Sequence, residues 1–310
     1  MTTESGLNKR KLRNIYLGLA GLAIAMPLFA DNYVMNTFSD VWLYVVLCLG
    51  LNIVVGYAGL LDLGYAAFFA VGAYTTAILT STFGFNFWAT IPFAILFAAM
   101  SGVIIGGPTL RLRSDYLAIV TLGFGEIVRL TARNLEITGG TKGIFGIDRP
   151  FFFGIEMNQN IHFYYAFLAL AFLAIFISHR LQYSRLGRAW QYVREDEDAA
   201  EAMGINRVRV KLSAYVIGAV FGGVAGCFFA VKMTAISPET FMFTQSILIL
   251  LGVVIGGMGK IPGVVCGAFV LILFPEIFRF IGDMRLLAFA VIMLVIMLRR
   301  PQGIWPARLG

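Results

Sequence analysis

The sequence is poor in charge. Only 13% of its 310 residues are Asp, Glu, Lys or Arg, where a soluble globule carries about 25%. That shortage excludes an ordinary soluble enzyme. Histidine is limited to His162 and His179, which flank one apolar run at opposite ends and so cannot share a metal. The three cysteines, Cys48, Cys227 and Cys266, all fall in apolar runs without ligand spacing, and read as core packing residues. Nucleotide fingerprints are also missing. Gly259-Lys260 is followed by Ile261, and Val254 stands where a phosphate-binding loop needs its first glycine. Gly123 and Gly125 begin a dinucleotide pattern that fails at Val128. The chain is therefore expected to bind no ATP by itself and to need no cofactor. An intramembrane enzyme would need a nucleophile, a carboxylate pair or a histidine cluster within apolar runs, and none is evident.

What the sequence has is hydrophobicity. Apolar residues make up 59% of it and the mean hydropathy is +0.82. Runs long enough to cross a ~30 Å hydrocarbon core recur along the whole chain. The expected fold is all-α and integral to the membrane: a polytopic bundle of about ten transmembrane helices. The spans fall near 15–30, 41–61, 63–82, 87–107, 116–131, 163–178, 212–231, 245–258, 262–280 and 286–298. They leave no room for a soluble domain, so 1–310 is read as one transmembrane unit. The joints at Asp62 and at Gly259-Lys260 are too tight for a loop. Each predicts a hairpin or a broken, partly re-entrant helix, which is tolerable only where protein or a water-filled path covers it.

Basic residues orient the chain. With an even number of spans, one side holds both termini, with Lys9, Arg10, Lys11 and Arg13 at the start and Arg299, Arg300 and Arg308 at the end. Arg111, Arg113, Lys260 and the seven basic residues from Arg180 to Lys211 fall on the same side. The other side has Arg133, Lys142, Arg149, Lys232, Arg279 and Arg285, and Arg129 lies inside a span. The richer side is expected to be cytoplasmic. The net charge of +7 then reflects topology and excludes a nucleic-acid footprint. The basic start and first apolar run resemble a signal peptide, but the charge alternation holds only if that span is kept, as an uncleaved anchor.

Two segments between spans stand out. Residues 132–161 form the long periplasmic segment, which carries Thr138-Gly139-Gly140 and is a landing surface for an external partner. Residues 179–211 form the longest cytoplasmic loop. Within it 194–204 reads as one short helix, with Glu195 to Asp198 in its first turn, where the helix dipole favours negative charge. Ala199, Ala202 and Met203 share an apolar face, and Gly204 is placed as a C-terminal cap. A helix lying on lipid should have bulky apolar anchors and a basic polar face. This one has alanines and acids, so docking into protein is expected, with the acidic turn meeting basic groups on the partner.

At this point a resemblance becomes specific. Asp198-Ala199-Ala200 followed by Gly204 is similar to the Glu-Ala-Ala loop of permease subunits in bacterial ABC importers, with Asp198 keeping the charge. The runs GYAGLLDLGYAAFFAVGAY at 56–74, TLGFGE at 121–126, TGG at 138–140, AMGIN at 202–206, GGMG at 256–259 and RPQGI at 300–304 narrow it. Together they resemble the LivM-type permease family of branched-chain amino acid importers, along nearly the whole chain. Urea and short-chain amide importers use closely similar permeases, so that solute class stays open here. The resemblance implies a type II-like importer fold in the bacterial inner membrane and a division of labour. A periplasmic binding protein delivers the amino acid substrate, a second homologous permease supplies half of the path, and two cytoplasmic ATP-binding subunits drive transport. Arg194, Glu195, Asp198, Ala199, Ala200, Met203 and Gly204 would couple to those ATPases. A secondary transporter or channel would share the spans, but it has no use for such a helix.

Glycine is abundant, at 34 residues, and clusters around both tight joints. These glycines serve either close helix packing or a path lined by free backbone groups. The path candidates are Gly59, Gly64, Thr121, Glu126, Gly256 and Gly257. Ionisable groups in the bilayer are costly and default to function. Glu126 and Arg129, three apart on one helix face, form either a functional site or a self-neutralising pair. Glu276 and Arg279 repeat the spacing near an interface.

Overall fold

The computed structural model describes residues 18, 21–28, 30–109, 114–152, 155–157, 159–282, 284–299 and 303–304. The start of the first predicted span lies outside them, as do Lys9, Arg10, Lys11, Arg13, Arg111, Arg113, Arg300 and Arg308. Among the described residues the chain is helical almost throughout. The elements are α1 (residues 21–25), α2 (Asn32–Asn52), α3 (Ala66–Ser81), α4 (Phe87–Thr109), α5 (Ser114–Asn134), α6 (Asn160–Gln182), α7 (Arg185–Glu195), α8 (Glu197–Ala202), α9 (Arg207–Met233), α10 (Phe243–Gly256), α11 (Ile261–Ile277) and α12 (Met284–Arg299). Among the described residues four stretches are long and apolar enough to cross a membrane: Asn32–Tyr57, Phe87–Gly107, Asn160–Gln182 and Arg207–Met233. Shorter apolar helices are α3, α10 and α11.

Two boundaries differ from expectation in an instructive way. The second span starts at Asn32 and continues past α2 as a π-helix, Ile53–Tyr57, a form that often marks functional sites. The third starts only at Ala66, leaving 58–65 as irregular backbone between two helices. The 179–211 segment is mostly helical, because α6 runs on to Gln182 and α9 begins at Arg207.

Close approach of backbones sets the packing. A Cβ on Gly72 would fall 1.9 Å from the carbonyl oxygen of Gly223, and one on Gly226 would fall 2.2 Å from that of Phe69. Only glycine lets α3 and α9 come so near. Around this seam the interior is aromatic: Tyr57, Tyr65, Phe68, Phe69, Tyr164, Phe167, Trp190 and Tyr215 are fully buried. Cys48 and Cys227 join that core, whereas Cys266 is exposed on α11, so its assignment to the core is corrected. Along α4 and α5 large apolar side chains such as Leu96, Met100, Ile104, Ile119 and Ile127 face outward, as lipid-facing or helix-facing surfaces do. Among the described residues there are also four two-residue strands. β1 (Ile144–Phe145) pairs antiparallel with β4 (Ala235–Ile236), and β2 (Phe151–Phe152) with β3 (Ile155–Glu156).

Candidate functional site

Two regions hold the candidate residues: the helical turn around Asp198 and the two breaks in the membrane helices. Ser184 opens the first by accepting a hydrogen bond from the Gly187 N–H at 3.0 Å, which starts α7. Asp196 then leaves helical geometry, with φ −154° and ψ 111°. Its Oδ1 accepts from the N–H groups of Asp198 and Ala199, at 3.0 and 2.9 Å, and so caps α8. The expected single helix over 194–204 is therefore two. Arg194 and Glu195 end α7, and the acidic first turn is Glu197-Asp198. Gly204 has φ +84°. Its N–H donates to the Glu201 carbonyl at 2.9 Å and the Ile205 N–H to that of Ala200 at 3.0 Å, the paired bonds of a glycine-terminated helix.

The faces of α8 are unequal. Ala199, Ala202 and Met203 point outward, Met203 being 65% exposed. Ala200 is fully buried against the chain's own core, so it is turned away from any docking partner. The acids are already engaged within the chain. Lys211 Nζ donates to Glu197 at 2.5 Å, while Arg207 lies 3.1 Å from Glu201 and 3.4 Å from Asp198. Arg194, exposed on its outer side, reaches back onto the chain. Its Nη1 donates to the Gly56 carbonyl, its stem fills the space beside Gly59, and its guanidinium reaches the turn at Gly259.

At the first break the chain runs irregularly from Ala58 to Tyr65, and its backbone groups are met by distant side chains. The Leu63 N–H donates to Thr121 Oγ1 at 3.1 Å, and the Ala66 N–H to Ser246 Oγ at 2.9 Å. The Gly64 N–H is held by Asp62 at 2.8 Å. Gly59 needs its positive φ of +70° for the turn. Gly64 lies so close to α5 that a Cβ would sit 1.9 Å from the Thr121 carbonyl oxygen. Gly64, Thr121 and Glu126 thus belong to one cluster. Leu63, Leu122, Glu126, Phe241, Phe243 and Ser246 close in here around a crevice with no room for a water molecule. Glu126 is bound by Arg129 through Nε at 2.9 Å and Nη2 at 2.8 Å. The charge chain continues where sequence reasoning did not follow: Arg129 lies 3.6 Å from Glu239, and Glu239 lies 3.9 Å from Arg133. Glu239 belongs to the 3-10 turn Pro238–Phe241. Another missed pair is Lys232 with Asp40, joining α9 to α2.

Gly256 and Gly257 lie at the second break. A Cβ on Gly256 would be 2.2 Å from the Gly263 carbonyl oxygen, so α10 and α11 touch backbone to backbone. Gly257 ends α10 with φ 108°. The Gly259 N–H donates to Asn52 Oδ1 at 2.8 Å, which ties this break to the end of α2 and brings it beside the first. Glu276 and Arg279 pair at 3.6 Å, with Arg279 61% exposed and 5.1 Å over the Tyr33 ring. In the 132–161 segment Thr138 Oγ1 donates to the carbonyls of Ala132 and Leu135, closing a turn.

The sequence family described as the permease component of branched-chain amino acid transport systems matches residues 33–298. The chain belongs to this family. The permease is 41% identical over 96% of its length to the high-affinity branched-chain amino acid transport system permease protein LivM of Escherichia coli K12, covering 75% of that protein. It is 40% identical to the LivM of Salmonella typhimurium, with the same coverage. It is 25% identical over 74% of its length to the E. coli permease LivH of the same kind of system, covering 79% of it. No solved structure matches it. These relatives are named as transport permeases, and with its apolar helices the chain is a multi-pass membrane protein.

Proposed function

We propose that this permease carries branched-chain amino acids inward across the bacterial inner membrane as one half of an ABC importer path. The family match along 33–298 carries that reading, and the relatives' names supply the solute class. The second half of the path is a homologous permease of the LivH kind, in keeping with this chain's own similarity to LivH. Energy comes from two cytoplasmic ATPases, and a periplasmic binding protein delivers the solute. The fold is a type II-like bundle of about ten spans with both termini cytoplasmic, as the basic-residue asymmetry directs. Uptake of labelled leucine, with labelled urea as the contrast, in a strain lacking the intact system tests the solute. Leucine uptake restored only with this chain is expected; urea uptake alone would reassign the solute class.

The ATPases dock on α8. Its exposed face of Ala199, Ala202 and Met203 supports this, because small residues admit close insertion. The helix is rigidly aimed, being capped by Asp196 and Gly204 and tied to α9 through Lys211 and Arg207. The acids of α8 remain 45–93% exposed and add charge to that fit, although each also pairs within the chain. Ala199→Trp is expected to leave the permease inserted and to strip the ATPases from it on co-purification, overpacking of a fitted site costing ~1–3 kcal/mol. A full complex with undiminished solute-stimulated ATP hydrolysis would remove α8 from the docking site. The 132–161 segment, with its closed turn at Thr138-Gly139-Gly140, receives the binding protein. The crevice beside Glu126 lies on the solute path and, being too narrow here for a water molecule, has to widen for the solute to pass.

A further inference from the structure

We infer that Arg194 is a positioning residue that transmits movement of the α7–α8 pair to both breaks of the membrane helices at once. The inference rests on the docking role of α8. Its geometric basis is a convergence at one guanidinium. Arg194 sits two residues before the Asp196 cap, at the end of α7 where the chain turns into α8. Its Nη1 donates to the Gly56 carbonyl in the π-helical end of the second span. The same nitrogen lies 3.4 Å from where a Cβ on Gly259 would be, and the Arg194 Cγ lies 2.7 Å from where one on Gly59 would be. Glycine at both positions leaves room for the arginine. Asn52 completes the link by holding the Gly259 N–H at 2.8 Å.

The rest of α7 is fastened so that motion is passed on. The Trp190 ring stacks on Tyr57 with centroids 6.4 Å apart and planes 4° from parallel. Its Nε1 donates to the Val210 carbonyl and to Ser213 Oγ, each at 3.0 Å. Thus α7 grips the foot of α9 through tryptophan and the two breaks through arginine. A planar guanidinium can serve several groups from one fixed fork, which a lysine ammonium cannot reproduce. Packed side chains and hydrogen-bond networks of this kind carry energetic coupling between sites.

The test uses the complete importer in proteoliposomes, with leucine-loaded binding protein outside and ATP inside. Solute uptake and ATP hydrolysis are read in the same vesicles. Arg194→Ala is expected to assemble with its ATPases, while leucine carried per ATP falls about tenfold, within the usual range of coupling between sites. Arg194→Lys should recover part of the ratio, since its ammonium can restore the bond to Gly56 but not the flat contact beside Gly259. Gly59→Ala should lower the ratio with Arg194 still present, because its methyl displaces the arginine stem. A wild-type ratio in Arg194→Ala overturns the inference. So does loss of the ATPases from that variant, which would make Arg194 a docking residue and leave the role of α8 standing. If Arg194→Ala does not accumulate, the lysine and Gly59 variants decide, and wild-type ratios in both overturn the inference. Ala199→Trp run beside them separates the cases: intact docking and uptake there defeats the α8 reading itself.

Discussion

The two tight joints, 58–65 and 257–260, are both glycine-rich and both follow an apolar helix, yet they solve different problems. At the first, the chain stays irregular over eight residues: Thr121 of α5 meets the Leu63 N–H, Ser246 of α10 meets the Ala66 N–H just beyond, and Asp62 of the break itself meets Gly64. At the second, the turn is short, and one borrowed acceptor, Asn52, holds Gly259. Unmet backbone groups at membrane depth cost several kcal/mol each, so the longer break requires more outside help. A break held from many sides places groups of many elements around one cleft, which is why Glu126, Ser246 and Phe241 meet there. The short break mainly folds α10 back on α11.

The harshest way to break the comparison is to add a methyl at each joint. Gly64→Ala drives a Cβ against the Thr121 carbonyl in the middle of α5, at 1.9 Å, and neither backbone can yield. Loss of folded permease on size-exclusion of the fluorescently tagged protein is expected, beyond the ~3 kcal/mol of ordinary overpacking. Gly256→Ala meets the Gly263 carbonyl oxygen at 2.2 Å, a slightly longer contact but again with backbone on both sides. It should accumulate at reduced level. Equal survival of the two would show that the joints are equally constrained.

A milder test removes one acceptor. Thr121→Val keeps the shape of the side chain and leaves the Leu63 N–H unmet, at a cost of about 1–3 kcal/mol. The expected result is a lower temperature of thermal aggregation with little loss of expression; no change would mean that Thr121 does not hold the break. The mildest test leaves the fold and asks about transport. Glu126→Gln, at the cleft, should lower uptake about tenfold, the rate equivalent of one charge-assisted bond. Glu276→Gln, on the helix after the second joint, should change little, because exposed pairs contribute ~0–1 kcal/mol. Normal uptake with Glu126→Gln would assign that residue to packing alone.

How much of this was legible depends on the range of the interaction. Helices were legible because hydrocarbon burial demands apolar runs, and the glycine clusters announced close approach. Which backbone each glycine touches was not, since Gly64 meets Thr121 and Gly72 meets Gly223 across long separations. Glu126 with Arg129 was readable from spacing on one helix. Glu239, which joins them from a distant turn, left no local signal. The division of 194–204 was hidden for a different reason. Four consecutive acids offer several possible caps, and only the extended backbone at Asp196 selects one. The inward turn of Ala200 was likewise invisible, because alanine gives the same apolar signal whichever side it faces.

The seam between α3 and α9 has a mechanical consequence. Where Gly72 lies on Gly223 and Gly226 lies on Phe69, backbone rests on backbone and there is no rotamer to change. Sliding one helix along the other would bring a neighbouring Cβ onto a carbonyl, as a gear tooth jams against a rim. The two helices therefore travel as one rigid block. Any alternation between inward and outward access has to bend the chain at the ends of that block, in the irregular stretch before Ala66 and in the turns on either side of α9.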